Sequence, residues 1–175
     1  MTITYSYLRE NAGLILHVVR PTKLSYAKLH DLSRLIEEGG QIRADGLADR
    51  LLRCRWVAYV CDGLVVVGTA ALKTPEDGPD NNAIVKAQSP YNFYDFKIEI
   101  GFLMVATLYR GKRLASVLTK ALCDKEPLSN IYATVAETNS IAQSILLKNR
   151  FIQSGIPFAD RAGSGMLLLF VKISN

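Results

Sequence analysis

Apolar and polar positions divide the chain into short strand-like runs and longer stretches with helical spacing. Runs of apolar residues bounded by Gly, Pro, Asn or Asp are typical of strands. The predicted strands are Leu14–Val19, Trp56–Cys61, Leu64–Leu72, Phe96–Val105, Ile131–Val135, Phe151–Ile156 and Met166–Ile173. Asp62-Gly63, between the second and third of these runs, is a strong hairpin signal.

Helical spacing begins after Ser25, where apolar residues recur on one face until the Gly39-Gly40 pair. That face is formed by Leu29, Leu32, Leu35 and Ile36. The other predicted helices are Ala44 to about Arg53, Leu114–Leu122 and Ser140–Lys148. Strands and helices alternate in the second half of the chain, which implies parallel neighbours. The pattern predicts an α/β fold, a mixed sheet with helices on both faces.

Lys73–Asp95 interrupts this rhythm with three prolines, an Asn-Asn pair and the aromatic residues Tyr91, Phe93 and Tyr94. We interpret it as a long surface loop with space for a short helix. Long loops in compact domains are often functional.

The composition limits the classes of protein to which the chain can belong. The 175 residues are 49% hydrophobic and 21% charged, as expected for one folded domain over residues 1–175. The longest apolar runs, Leu64–Val67 and Met166–Val171, are too short to cross a membrane. No basic region followed by an apolar stretch begins the chain, so we expect no signal peptide and a cytoplasmic location.

Cysteines and charges narrow the choice of ligand. Cys54, Cys61 and Cys123 form no CxxC pair and are accompanied by only two histidines. We therefore expect the three cysteines to be small core residues that form no metal site and no disulfide.

The balance of charges favours an anionic ligand such as a nucleotide cofactor, or a nucleic acid, because Lys and Arg exceed Asp and Glu by 21 to 16.

The segment from Val105 to Ala115 carries the clearest chemistry. A strand ends, a basic turn follows, and a helix begins near Leu114. The first amides of a helix lack partners within it, and the helix dipole makes that end positive. Gly111 supplies a tight turn, and the adjacent positive charges come from Arg110, Lys112 and Arg113. The combination predicts a diphosphate site, with a solvated basic turn as the simpler alternative.

A second segment leads from Asn139 into the next helix. Asn139 or Ser140 is suited to cap that helix. Ala142, Ile145 and Leu146 form its inner face, where the small Ala142 leaves space for a close neighbour. An ordinary amphipathic core helix explains the same pattern.

Together these two segments resemble motifs A and B of the GNAT family of N-acetyltransferases. Motif A follows a strand with Arg/Gln-x-x-Gly-x-Gly/Ala, and motif B is Asn-x-x-Ala ending at Gly-Phe. The matching residues here are Arg110, Ala115, Asn139, Ala142 and Phe151, preceded by Glu99-Ile100-Gly101 on the central strand. The resemblance covers the chain from about Leu14. It implies a six- to seven-stranded mixed sheet flanked by about four helices.

The resemblance also implies a cofactor and its contacts. Acetyl-CoA would lie where the strands Phe96–Val105 and Ile131–Val135 splay apart. The implied cofactor-binding residues are Leu103, Met104, Val105, Arg110, Gly111, Lys112, Arg113, Leu114, Ala115, Asn139 and Ala142. The backbone near Leu103 and Val105 would pair with the pantetheine arm, and the amides from Gly111 onward would hold the diphosphate.

The implied reaction transfers an acetyl group to a primary amine of a small molecule or protein. Glu99 is the candidate base, directly or through a water; a strand carboxylate that faces solvent or pairs with Lys97 is the alternative. We expect no metal ion, and we leave a homodimer open as the oligomeric state.

Three residues depart from the GNAT pattern. Arg113 and Arg150 replace glycines, and Leu146 stands where many members have a tyrosine that protonates the leaving thiolate. Because Asn tolerates left-handed backbone, we expect Asn149 to make the turn that the second glycine normally makes.

These departures support an alternative function, a divergent GNAT-fold protein that binds or modifies nucleic acid without acetyl-CoA chemistry. Its phosphate contacts would come from Arg110, Lys112, Arg113 and Arg150. Bases would stack on Tyr91, Phe93 and Tyr94.

Overall fold

The computed structural model describes residues 13–40, 45–75, 82–160, 163 and 165–174. These residues fall into two compact units. Unit 1 holds the described residues up to Lys73 and Phe102–Lys125. Unit 2 holds those of Thr74–Gly101 and those from Glu126 onward.

Seven strands and five α-helices occur among the described residues. The strands are β1 (Leu14–Val19), β2 (Trp56–Asp62), β3 (Val65–Lys73), β4 (Glu99–Val105), β5 (Ile131–Ala136), β6 (Ile152–Ala159) and β7 (Met166–Lys172). The helices are α1 (Tyr26–Glu38), α2 (Leu47–Leu52), α3 (Ala83–Lys86), α4 (Leu114–Cys123) and α5 (Ser140–Lys148). The strand order is β1-β2-β3-β4-β5-β7-β6, which confirms the predicted mixed sheet.

In unit 1 the antiparallel strands β1, β2 and β3 form a meander. The β2–β3 hairpin is confirmed, but its turn lies one residue later than predicted. Asp62 pairs with Val65, so Gly63 and Leu64 form the turn. Gly63 has φ 55°, the left-handed value that the first position of a type II′ hairpin turn requires.

Helices cover both faces of β3 in unit 1. Ala71 belongs to a cluster with Leu32 and Ile36 of α1, and these side chains are at most 1% exposed. An added Cβ at Gly68 would lie 3.2 Å from Leu118 of α4. Because residues three apart on a strand point to opposite faces, α1 and α4 lie on opposite sides of β3. As expected, the three cysteines are buried.

In unit 2 β5 lies beside β4 in parallel, with Glu99 opposite Tyr132, as the alternation of elements predicted. The strands β5, β7 and β6 follow in antiparallel order. The predicted short helix within the long loop is α3, while residues 76–81 of that loop lie outside the described residues.

The end of that loop packs within unit 2. The Ile156 amide donates a 2.7 Å hydrogen bond to the Ala87 carbonyl. Tyr91 and Phe93 pack against the unit 2 core, and Tyr94 is 63% exposed.

Other observed bounds differ from the predicted ones by a few residues, because a strand is paired only where its partner strand is present. β4 begins at Glu99 rather than Phe96, and β6 covers Ile152–Ala159 rather than Phe151–Ile156. The predicted helix start at Ala44 lies outside the described residues. In the described part of the chain, every helix is too short or too polar to traverse a bilayer.

Candidate functional site

The end of β4 holds three of the predicted cofactor-binding residues, Leu103, Met104 and Val105, all half-buried. Met104 points its side chain into the unit 1 core, where an added Cβ at Gly39 would overlap its Cε atom. The side chain of Met104 is therefore committed to packing against the end of α1. Only its backbone is available for a ligand.

Phe102, just before these residues, has φ 53°, which is rare for a bulky residue and disrupts regular strand geometry. Its ring is buried, and Lys73 Nζ lies 5.3 Å from the ring centroid. The buried ring and the nearby Lys73 cation hold Phe102 in place, and the last residues of β4 continue from this fixed point.

A single 3₁₀ turn, Thr107–Tyr109, connects β4 to the basic residues. The Ala106 amide donates to the Val67 carbonyl at 2.9 Å, which ties the start of the turn to β3. Arg110 Nε donates to the Val105 carbonyl at 3.3 Å. Gly111 has φ 78°, and an added Cβ there would meet no heavy atom of the described residues within 4 Å. Hydrogen bonds therefore anchor the start of the turn, whereas no described residue packs close to the position of a Cβ at Gly111.

The start of α4 has the features of an anion site. Its N-cap residue is Arg113, with φ 53° and ψ 11°, and no side-chain cap hydrogen bond forms. Leu114 is 1% exposed and fixes the helix in the core, whereas Arg110, Lys112 and Arg113 are exposed. First-turn amides, the helix dipole and three cations together favour a bound anion. These residues fit a diphosphate.

A contact that the sequence analysis missed lies beside this turn. The Tyr109 hydroxyl donates a 2.7 Å hydrogen bond to Asp62, and this bond raises the pKa of Tyr109. Lys112 Nζ lies 4.9 Å from the centroid of the Tyr109 ring. The sequence predicted the hairpin and the turn in which these two residues lie. No sequence pattern, however, predicts a contact between positions 47 apart.

Glu99, the predicted base, is the first residue of β4 and belongs to unit 2. Its side chain is half-buried. The neighbouring parallel ladder includes a 3.0 Å hydrogen bond from the Tyr132 amide to the Ile98 carbonyl. The backbone that carries this carboxylate is therefore paired with β5 at this position.

Asn139 and Ala142 lie at the start of α5, also in unit 2. Asn139 Oδ1 accepts a 3.0 Å hydrogen bond from the Ala142 amide, which confirms the predicted cap. Gln143 Nε2 donates to the Ala136 and Glu137 carbonyls at 3.3 and 2.8 Å. These bonds fix the start of α5 against the end of β5.

The prediction that Asn149 makes the left-handed turn is wrong. Asn149 has φ −96°, and Arg150 has φ 67°. The Arg150 amide donates to Leu147 and the Phe151 amide to Leu146, the two bonds of a Schellman motif. Asn149 Nδ2 donates to the Ile145 carbonyl at 2.8 Å, so Asn149 continues the helix and the next residue must turn.

Leu146 is 3% exposed and is the buried residue of α5. It therefore serves packing. Within the described ranges, no group of three or more His, Cys, Asp or Glu residues is arranged to hold a metal ion.

Neither a family model nor a curated protein matches the sequence. Solved structures do match, over almost the whole chain. A GNAT-family protein from Desulfovibrio desulfuricans matches with a TM-score of 0.69 and 8% identity, covering 93% of this chain and 99% of its own. A GNAT-family acetyltransferase from Streptococcus agalactiae gives 0.66 and 17%, covering 91% and 96%.

A third similar structure is yncA from Salmonella typhimurium, solved with its cofactor acetyl-CoA. Its TM-score is 0.64 at 14% identity, and the match covers 93% of this chain and 95% of that one. Identities this low establish the fold alone. The chain has the GNAT fold that the two sequence motifs implied.

Proposed function

We propose that this GNAT-fold protein is an acyl-CoA-dependent N-acyltransferase, which transfers an acetyl group from acetyl-CoA to a primary amine of a small molecule or protein. One observation carries the proposal. A basic turn leads from the end of β4 into α4, whose N-cap side chain makes no cap hydrogen bond. The fold and the acetyl-CoA bound to yncA support it.

The chain offers groups for the diphosphate and for the pantetheine arm of the cofactor. The amides from Gly111 to Ala115 and the charges of Arg110, Lys112 and Arg113 hold the diphosphate. The backbone of Leu103 and Val105 binds the pantetheine arm. The Val105 carbonyl already accepts one hydrogen bond from Arg110, and its second lone pair remains for a ligand. The resemblance to motif B also assigns Asn139 and Ala142 to the proposed cofactor contacts.

Acetyl-CoA supplies an acyl carbon already activated as a thioester. The protein must then position an amine and remove its proton. Glu99 accepts that proton, directly or through a water. Leu146 offers no proton for the leaving thiolate because it is aliphatic and buried, so solvent is the proposed source.

Thermal denaturation tests cofactor binding. A ligand that binds only the folded state raises the melting temperature. We expect millimolar acetyl-CoA to raise it by several degrees, and no shift at that concentration would contradict the proposal. Turnover is then sought by following release of the free thiol with a panel of amines, polyamines and lysine peptides.

Glu99→Gln tests the base. The substitution preserves size and removes the proton acceptor, so we expect kcat to fall by about a hundredfold or more with an unchanged affinity for CoA. Glu137→Gln is a matched control because Glu137 is exposed. Equal rates for both variants would remove Glu99 from this role.

The nucleic-acid alternative requires its own test. Two of its three proposed stacking residues, Tyr91 and Phe93, pack against the unit 2 core. It predicts salt-dependent retention of an oligonucleotide, weakened by charge reversal at Arg113. No retention at low salt would contradict it.

A further inference from the structure

Two segments far apart in sequence meet beside the turn that leads into α4. The Tyr109 hydroxyl donates a 2.7 Å hydrogen bond to Asp62 Oδ2 across 47 positions. Tyr109 ends the 3₁₀ turn, and Asp62 ends β2 just before the hairpin turn. The hairpin is thus tethered to the segment that carries the basic residues.

The acceptor in this exposed contact is a carboxylate. A carboxylate acceptor makes shorter and stronger hydrogen bonds than a neutral one. This bond raises the pKa of Tyr109 above its ordinary value of 10.0, because the carboxylate favours the protonated phenol. The phenol is protonated at neutral pH even at its ordinary pKa, so Tyr109 is a donor there.

The Tyr109 ring extends the tether to Lys112. Lys112 Nζ lies 4.9 Å from the ring centroid, within the range of a cation–π interaction. An exposed lysine otherwise samples many rotamers. The ring limits that sampling and keeps the charge beside Tyr109.

The intervening Gly111 makes such a tether useful. Its φ of 78° is accessible at low cost only to glycine, and glycine is also the most flexible residue. Contacts on either side must therefore fix the path between Tyr109 and Arg113. Before Gly111, Arg110 contacts the Val105 carbonyl and Tyr109 contacts Asp62; after it, the buried Leu114 fixes the start of α4.

We propose that Asp62 and Tyr109 are positioning residues for the diphosphate of CoA. The hydrogen bond holds the turn, and the ring restrains the Lys112 side chain, one residue before the N-cap of α4. This inference rests on the proposed function, since the cofactor supplies the diphosphate. Its specific consequence is that loss of the tether weakens ligands with a diphosphate and spares ligands without one.

The test compares Tyr109→Phe with Tyr26→Phe, which removes a hydroxyl from a side chain that is 87% exposed. CoA binding is measured by calorimetry, and pantetheine, which lacks the diphosphate, by NMR titration. We expect Tyr109→Phe to weaken CoA about fivefold, as for one lost hydrogen bond, and to leave pantetheine unchanged. Asp62→Ala, which removes the acceptor, has the same effect, and Asp62→Asn, which keeps an amide oxygen as a neutral acceptor, has a smaller one.

A second measurement does not depend on any ligand. Amide hydrogen exchange of Gly111 to Ala115 is faster in Tyr109→Phe than in Tyr26→Phe, because the turn has lost a tether. Equal CoA affinities for the two variants, with the wild type binding CoA, would overturn this inference alone. An equal loss for CoA and pantetheine would also overturn it, since that pattern indicates general damage. A wild type that binds no CoA would overturn the proposed function as well.

Discussion

The helices α4 and α5 each follow a strand, yet they begin differently. At α5 the Asn139 side chain accepts a hydrogen bond from the Ala142 amide. At α4 the N-cap is Arg113, whose guanidinium has donors but no acceptor. The chain therefore satisfies part of the start of α5 by itself. The start of α4, with its positive dipole end and its basic residues, remains suited to an anion.

Each of these two helices is flanked by an arginine with a left-handed backbone conformation, but at opposite ends. Arg113 precedes α4 with φ 53°, and Arg150 follows α5 with φ 67°. Both stand at glycine positions of the GNAT pattern, and both carry the backbone strain that glycine avoids. A cation opposes the dipole at the start of a helix and favours it at the end. Arg113 is thus the more unfavourable of the two for stability, which is consistent with a role in binding.

The largest expected effect comes from reversing charge at the start of α4. Lys112→Glu with Arg113→Glu replaces two cations by anions where the diphosphate would bind. We expect CoA affinity to fall about 100-fold at low salt, as for the loss of more than one charge-assisted hydrogen bond. Calorimetry measures the affinity.

The matched control reverses two cations at the end of α5, Lys148→Glu with Arg150→Glu. Both residues are exposed, and the change in net charge is the same. We expect CoA affinity to stay within about twofold, because neither residue belongs to the proposed cofactor contacts. Similar losses in both variants would show that only overall charge matters.

A smaller effect is expected from the cap of α5. Asn139→Ala removes the acceptor for the Ala142 amide, which lowers the free energy of unfolding by about 1 kcal/mol. Thermal denaturation should show a melting temperature about 2–4 °C lower. Arg113→Ala serves as the counterpart at α4, where no cap is lost. An equal decrease for Arg113→Ala would refute the difference between the two helix starts.

The smallest expected effect is the difference between the two arginines in their influence on stability. Glycine relieves left-handed strain at both positions, but only Arg113→Gly also removes a cation from the positive end of a dipole. We expect Arg113→Gly to raise the free energy of unfolding by about 1 kcal/mol, and Arg150→Gly by about half as much. Urea denaturation measures both values, and the reverse order would count against the dipole argument.

Local signals predicted much of this structure. The bounds of α5 match the prediction, and the basic turn lies where the sequence placed it. In each case neighbouring residues determine the structure, through apolar spacing, a capping Asn or a glycine turn.

Other features depend on contacts that sequence spacing does not encode. Packing of Met104 against Gly39 and the Asp62–Tyr109 bond join distant segments. The left-handed residue after α5 was misplaced because propensity favours Asn, whereas the Schellman bonds require that conformation one residue later, at Arg150. Tertiary contacts and capping geometry outweighed intrinsic preference at these positions.

The most direct test of the central claim is amide hydrogen exchange with and without acetyl-CoA. If the start of α4 holds the diphosphate, exchange slows most at Gly111 to Ala115. It changes less at Ala142, whose amide is already hydrogen-bonded to Asn139. Unchanged exchange at Gly111 to Ala115 under saturating acetyl-CoA would contradict the account.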